Sequence, residues 1–421
     1  MSAETDEHQD GISRRRLLAG AGVAGVGIGL GGAGYLIGRE SAEAAPHLDA
    51  TVAFHATRQA GIDTPAQDRL HFAAFDLTLG SAAELRDLLR EWSDAAAQMT
   101  QGAMVGNANE ERLAPPDDTG ETVGLRSASL TVTFGLGPDV FERDGRDRFG
   151  LRSRRPHALR QIEPLPADVL DPELSGGDLC VQACSDDPQV AFHAVRNLAR
   201  LGRGAAVMRW SQLGFGRTSS TTRSQATPRN LMGFKDGTRN LRAEDTEAMQ
   251  RFVWLGEGDD VPWMANGTYM VTRRIRMLIE TWDRTSLGEQ EKTIGRSKYS
   301  GAPLGGAKEF DAPDLAASGG KPVIPADAHI RLASSEANGG AEILRRGYSF
   351  TDGVVEELGE LDAGLFFICF QKDPKAQFEA IQRRLGSNDA LNEYIKHTSS
   401  AVFAIPPGAR RGGFVGEGLF S

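Results

Sequence analysis

Residues 70–77, Leu70-His71-Phe72-Ala73-Ala74-Phe75-Asp76-Leu77, form a largely apolar run with the length of a strand. Ser81 then precedes a stretch, 82–97, in which apolar residues recur three and four apart, which predicts a helix with Ser81 at its start. A strand is expected over 128–134, after a glycine-containing loop. Another spans 178–183 and passes through Asp186-Asp187-Pro188 into a helix over 189–201, since Asp and Pro suit a helix N-terminus. A shorter β-like run stands at 52–55. Strand, helix, strand, strand, helix, strand is the order of a ferredoxin-like α+β unit.

The second half repeats the scheme. Residues 269–277 alternate apolar and basic side chains and lead into a helical 278–282, while 364–370 is a continuous apolar run of the kind found in central strands. Asp373-Pro374 opens a helix over 375–385. The chain therefore reads as a duplicated α+β plan, with a first domain over 46–217, a second over 218–421 and a boundary near the polar stretch 218–229. The segment 293–325, rich in Gly, Pro and Ala, is expected to be a long ordered loop that covers something.

Residues 1–45 belong to a different pattern. Ser13-Arg14-Arg15-Arg16-Leu17-Leu18 precedes an uncharged Gly- and Ala-rich run, and Ser41-Ala42-Glu43-Ala44-Ala45 offers small residues of a cleavage site. That layout resembles a twin-arginine export signal, which carries folded proteins out of the cytoplasm and implies a periplasmic, extracellular or envelope-associated destination. The many glycines make the run a poor membrane anchor. The 421-residue chain carries a net charge of −10, so clustered cationic contacts to nucleic acid are not expected. Its three cysteines, Cys180, Cys184 and Cys369, form neither a disulfide framework nor paired zinc spacing.

Three short stretches carry candidate chemistry. In Gly233-Phe234-Lys235-Asp236-Gly237-Thr238-Arg239-Asn240 a carboxylate sits on a glycine turn, where backbone can approach a ligand closely. His329 lies in Asp327-Ala328-His329-Ile330-Arg331-Leu332, a strand-like alternation. Ile343-Leu344-Arg345-Arg346-Gly347-Tyr348 sets two arginines beside an aromatic residue. Taken singly, each also fits a turn, a structural histidine or a surface pair. Taken together and in this order, they resemble the dye-decolourising peroxidase superfamily. Ser175-Gly176-Gly177-Asp178, Gly301-Ala302-Pro303-Leu304 and Thr398-Ser399-Ser400-Ala401-Val402-Phe403 extend the similarity from about residue 50 to the C-terminus. The export signal is similar to that of the exported branch, which includes deferrochelatase/peroxidase proteins.

The resemblance implies two ferredoxin-like domains with antiparallel sheets, in a dimeric α+β barrel-like plan, and one haem b per chain in the second domain. It implies His329 as iron ligand, Asp236 as distal acid and Arg345 as distal cation, with Arg346 as the register alternative. Gly237, Thr238, Arg239, Ser334, Ser335 and Glu336 are implied as further haem contacts. Gly347 stands where some relatives carry an amide side chain. The implied substrates are hydrogen peroxide and small electron donors such as dyes or phenols. Removal of iron from haem is the alternative activity, with iron-uptake components and a second copy of the chain as further partners.

These residue types suit the chemistry. Ferric haem takes a neutral imidazole as strong axial ligand. A carboxylate can shuttle the proton of bound peroxide. A guanidinium stays charged when partly desolvated and stabilises negative charge on the leaving oxygen. The imidazole should donate its second nitrogen's proton to a carboxylate, with Glu393 as first candidate by position and Asp389 as second. Trp210, Trp254, Trp263, Trp282, Tyr348 and Tyr394 read as core residues.

Overall fold

The computed structural model describes residues 48–106, 112–316 and 323–421; the export segment expected over 1–45 lies outside them. Ten strands, β1 (Arg69–Leu77), β2 (Thr131–Leu136), β3 (Leu179–Ser185), β4 (Ala206–Arg217), β5 (Thr268–Met277), β6 (Leu344–Arg345), β7 (Tyr348–Val355), β8 (Glu360–Gln371), β9 (Ile395–His397) and β10 (Ala401–Ile405), join in the order β6-β8-β7-β4-β1-β3-β2-β10-β5-β9. β5 also pairs with β8 along Tyr269↔Gln371 to Arg276↔Gly364. That pairing closes eight antiparallel strands into a barrel, four from each half of the chain, with β6 and β9 attached outside the ring. Closure removes the exposed edges an open sheet would carry.

Alternation sorts the side chains into two sets. Leu70, Phe72, Ala74, Cys180, Cys184, Met270, Tyr348, Phe366, Ile368 and Phe403 pack together inside the ring. Ala73, Phe75, Leu77, Leu179, Val181 and Ala183 face outward, beneath α1 (Ala82–Met99) and α2 (Pro188–Leu201). Ser81 caps α1 by accepting from the Glu84 N–H, and Asp187 caps α2 through the N–H groups of Gln189 and Val190, so both starts form as the sequence pattern requires. The second half supplies α3 (Thr246–Phe252), α4 (Ile279–Asp283), α5 (Leu287–Ile294), α6 (His329–Leu332) and α7 (Ala380–Asn388). Here the outer face is not packed solid: Arg273, Ile275 and Met277 of β5 and Leu365 and Phe367 of β8 line a cavity.

Several expectations need correction. Residues 52–55 form no strand, and β2 begins at Thr131 because Ala128 and Ser129 adopt positive φ, 45° and 57°, in the preceding turn. His329 opens a four-residue helix and is not on a strand. α5 runs to Ile294, so the covering loop starts at residue 295. The basic residues of β5 are all charge-paired. Arg273 pairs with Asp168, Arg274 with Asp352 and Asp362, and Arg276 with Glu360, and all three arginines are buried.

The Ser175–Asp178 stretch is structural. Asp178 is fully buried, accepts from the Leu77 N–H at 2.7 Å and binds the guanidinium groups of Arg143 and Arg148 at 2.6 and 2.8 Å. Cys180, Cys184 and Cys369 are free and buried, and the tryptophans and tyrosines singled out as core residues are all buried. Among the described residues no helix is long and apolar enough to cross a membrane.

Candidate active site

The cavity holds about 1630 Å³ of empty space, counting the part open to solvent. Its walls are mainly apolar, with Met232, Phe234, Ile294, Phe378, Ile381, Leu385 and Leu391 joining the β5 and β8 residues. Asp236, Gly237, Thr238, Arg239, His329, Ser334, Ser335 and Arg345 all contribute to the lining, although they come from segments more than a hundred residues apart. Glu336 does not line it. Its carboxylate binds the Arg239 guanidinium at the exposed rim, at 2.8 and 3.2 Å, and this pairing with a backbone hydrogen bond holds the carboxyl at about 2.

Asp236 sits on a tight turn. Gly237 has φ +83°, and a Cβ there would lie 3.1 Å from Ser219 Cα, so glycine is required on both counts. The Asp236 N–H donates to the Pro228 carbonyl at 2.9 Å. One carboxylate oxygen accepts from Arg345 Nη1 at 2.8 Å and the other from Asn230 Nδ2 at 3.3 Å. Arg345 and Arg346 are separated by strand alternation. Arg345 lines the cavity, whereas Arg346 is wholly buried elsewhere and donates to the carbonyls of Thr64 and Pro65 and to Gln67.

His329 Nδ1 lies 2.6 Å from Asp389 Oδ2. Asp389 is therefore the partner of the imidazole, and Glu393 is not: it ends a 3₁₀ turn and is exposed. Asp389 also caps that turn, its other oxygen accepting from the Leu391 N–H at 2.9 Å, which fixes the carboxylate from both sides. Burial pulls the proton affinity of His329 down, but the Asp389 carboxylate outweighs it and the net direction is up, with smaller opposed contributions from Asp236 and Arg345. Nε2 has no hydrogen-bond partner among the described residues, and the side chain, 32% exposed, lines the cavity. A wide apolar chamber with an unengaged imidazole nitrogen on its wall and cations at its rim fits a haem.

Residues 59–216 match the family model described as Dyp-type peroxidase, N-terminal, and residues 227–410 match Dyp-type peroxidase, C-terminal. The chain belongs to the Dyp-type peroxidase family. It is 39% identical to the dye-decolorizing peroxidase of Thermobifida fusca (strain YX) over 99% of both chains. It is also 35% identical to the deferrochelatase of Escherichia coli (strain K12) over 94% of both. The crystal structure of a DyP-type peroxidase from Streptomyces coelicolor superposes with a TM-score of 0.80 and 42% identity, covering 88% of this chain and 97% of that one. This Dyp-type chain is a haem peroxidase built on the expected α+β architecture.

Some wall residues of the Dyp-type cavity carried no signal in the sequence. Arg273 and His397 line it from β5 and β9, and burial pushes the His397 imidazole down to about 3. Asn230 and Asn240 contact Asp236 and Arg345 respectively; their places six residues before and four after Asp236 are the only trace they leave in the sequence.

Proposed function

We propose that the chain reduces hydrogen peroxide on one haem b per chain, with dyes, phenols or similar small donors giving up one electron at a time. The observation that carries this reading is the placement of two carboxylate-anchored groups in one apolar cavity: His329 held by Asp389, and Arg345 held on Asp236. When bound, the haem supplies the redox chemistry. His329 Nε2 would ligate the iron, with Asp389 accepting the Nδ1 proton, fixing the tautomer and raising the basicity of the ring. Asp236 would take the proton from one peroxide oxygen and return it to the other. Arg345, beside it at 2.8 Å, stabilises the negative charge that develops as the oxygens part. Gly237, Thr238, Arg239, Ser334 and Ser335 would line the haem and receive its propionates.

The test uses the purified, haem-loaded protein. His329→Ala should abolish the Soret band. Asp236→Ala and Arg345→Leu should retain it and slow the spectral change on stopped-flow mixing with peroxide by a hundredfold or more, the size expected of a lost proton shuttle. Unaltered rates in both variants would remove Asp236 and Arg345 from the chemistry. A second reading, release of iron from haem, is supported by the name of the Escherichia coli relative. Recovery of intact iron-free porphyrin after incubation with haem would favour it, and iron-uptake components would then receive the metal. Export by the twin-arginine route to the periplasm or beyond rests on the Arg14-Arg15-Arg16 stretch. Replacing those three arginines by Lys should leave the protein in the cytoplasm.

A further inference from the structure

Asn240 follows Asp236 by four residues on the same turn and is buried. Its amide makes three hydrogen bonds, all to backbone. Nδ2 donates to the carbonyls of Arg345 at 2.9 Å and Ser220 at 3.0 Å, and Oδ1 accepts the Arg345 N–H at 2.8 Å. The orientation of the amide follows from these partners, since only the nitrogen can face two carbonyls. Two of the three bonds take both backbone polar groups of one residue, as a neighbouring strand would.

Arg345 needs such a neighbour. It ends the two-residue β6, which is paired on one side with β8 through Leu344↔Phe370 and Arg345↔Cys369. On the other side its N–H and C=O would be left unsatisfied at a half-buried sheet edge, at a cost comparable to a lost hydrogen bond for each. Asn240 closes that edge with a side chain. The turn that carries it is stiff, because Gly237 is held in the left-handed region, the Asn240 N–H donates to the Gly237 carbonyl at 3.0 Å and the Asp236 N–H is tied to Pro228. One segment therefore carries the acid and also grips the backbone of the arginine. No amide can be supplied from position 347 instead: a Cβ on Gly347 would lie 2.8 Å from Thr218 Oγ1 and 3.1 Å from the Phe366 carbonyl oxygen.

We propose that Asn240 is a positioning residue for the peroxide step, setting the Arg345 guanidinium against Asp236. The proposal rests on the reading that Asp236 and Arg345 act on peroxide. Asn240→Asp keeps the size and one acceptor of the side chain but turns an oxygen toward the two carbonyls; Asn240→Ala removes the amide altogether.

The first measurement is amide hydrogen exchange in the haem-free chain. Protection of the Arg345 amide should fall at least tenfold in Asn240→Ala, while the Arg346 amide, bonded to the Ile368 carbonyl at 2.8 Å, keeps its protection. The second is stopped-flow mixing of haem-loaded protein with peroxide, as a double-mutant cycle. Asn240→Asp should slow the step ten- to a hundredfold with Arg345 present and less than twofold in an Arg345→Leu chain, with haem affinity unchanged in both. Equal losses in the two backgrounds, or an Arg345 amide that stays protected, would overturn the positioning role alone. An Arg345→Leu chain as fast as the parent would instead overturn the assignment of Arg345 and take this proposal with it.

Discussion

Consecutive side chains on a strand point to opposite faces, and at Arg345-Arg346 that rule divides the cavity wall from the buried framework. Among the described residues Arg346 has no carboxylate in hydrogen-bond contact; its charge is dispersed over the carbonyls of Thr64 and Pro65 and the side chain of Gln67, which ties the start of the first half of the chain to the second. Arg346→Met should strand those carbonyls and destabilise the fold by roughly 2–4 kcal/mol, read as a lower Tm, with the peroxide rate of the folded fraction unchanged. Arg345→Leu should do the reverse. The same residue-scale reasoning separates Asp389 from Glu393. Asp389 touches the imidazole and Glu393 is solvated. Asp389→Ala should therefore weaken haem binding about 10- to 100-fold in a titration followed at the Soret band, and Glu393→Gln should leave it unaltered.

At the scale of elements, the turn through Gly237 is where geometry is least tolerant. An alanine there would meet Ser219 Cα at 3.1 Å and would have to hold φ +83°. Gly237→Ala should cost about 1–2 kcal/mol of stability. It should also slow the peroxide step by shifting Asp236 and Asn240 together, which a denaturation curve and a stopped-flow trace on one sample would distinguish. Elements with a strong period were legible in the sequence: α1 and α2 with their caps, β1, β5 and β8 all fall within a few residues of where the pattern puts them. Elements too short for a period were not. α6 has four residues and β6 two, so neither His329 nor Arg345 could be given the right surroundings from local pattern. Asp389, sixty residues from His329, was named second to Glu393 because sequence position says nothing of which carboxylate a fold returns to an imidazole. The burial of the β5 arginines left no local trace, because their carboxylate partners lie 78 to 105 residues away.

For the whole molecule the decisive feature is the β5–β8 pairing, which turns two duplicated halves into one closed barrel with a shared interior. The segments laid over the outer face of that barrel bury polar groups of its strands, and two histidines record the consequence. His71 on β1 is stacked on Phe192 with Nδ1 unpartnered, and burial pushes it from 6.5 down to about 4. His397 on β9, also with Nδ1 unpartnered, is pushed from 6.5 down to about 3. In both cases the folded chain holds the neutral ring and the unfolded chain binds the proton more readily. Between the folded and unfolded values the unfolded state carries more protons, so stability rises with pH there. It is fully present above about 6.5 and is lost as pH falls toward 4 for His71 and toward 3 for His397. For His71 the loss is on the order of 3 kcal/mol, at about 1.4 kcal/mol for each unit. His71→Phe keeps the ring stacked on Phe192 and removes the titration. The variant should show a shallower fall in Tm between pH 6.5 and 4 than the parent chain, with the two curves parallel above pH 7. Equal slopes through the acid range would mean that His71 takes up its proton as readily in the fold as in the unfolded chain, and that α2 does not exclude water from the outer face of β1 as tightly as its packing indicates.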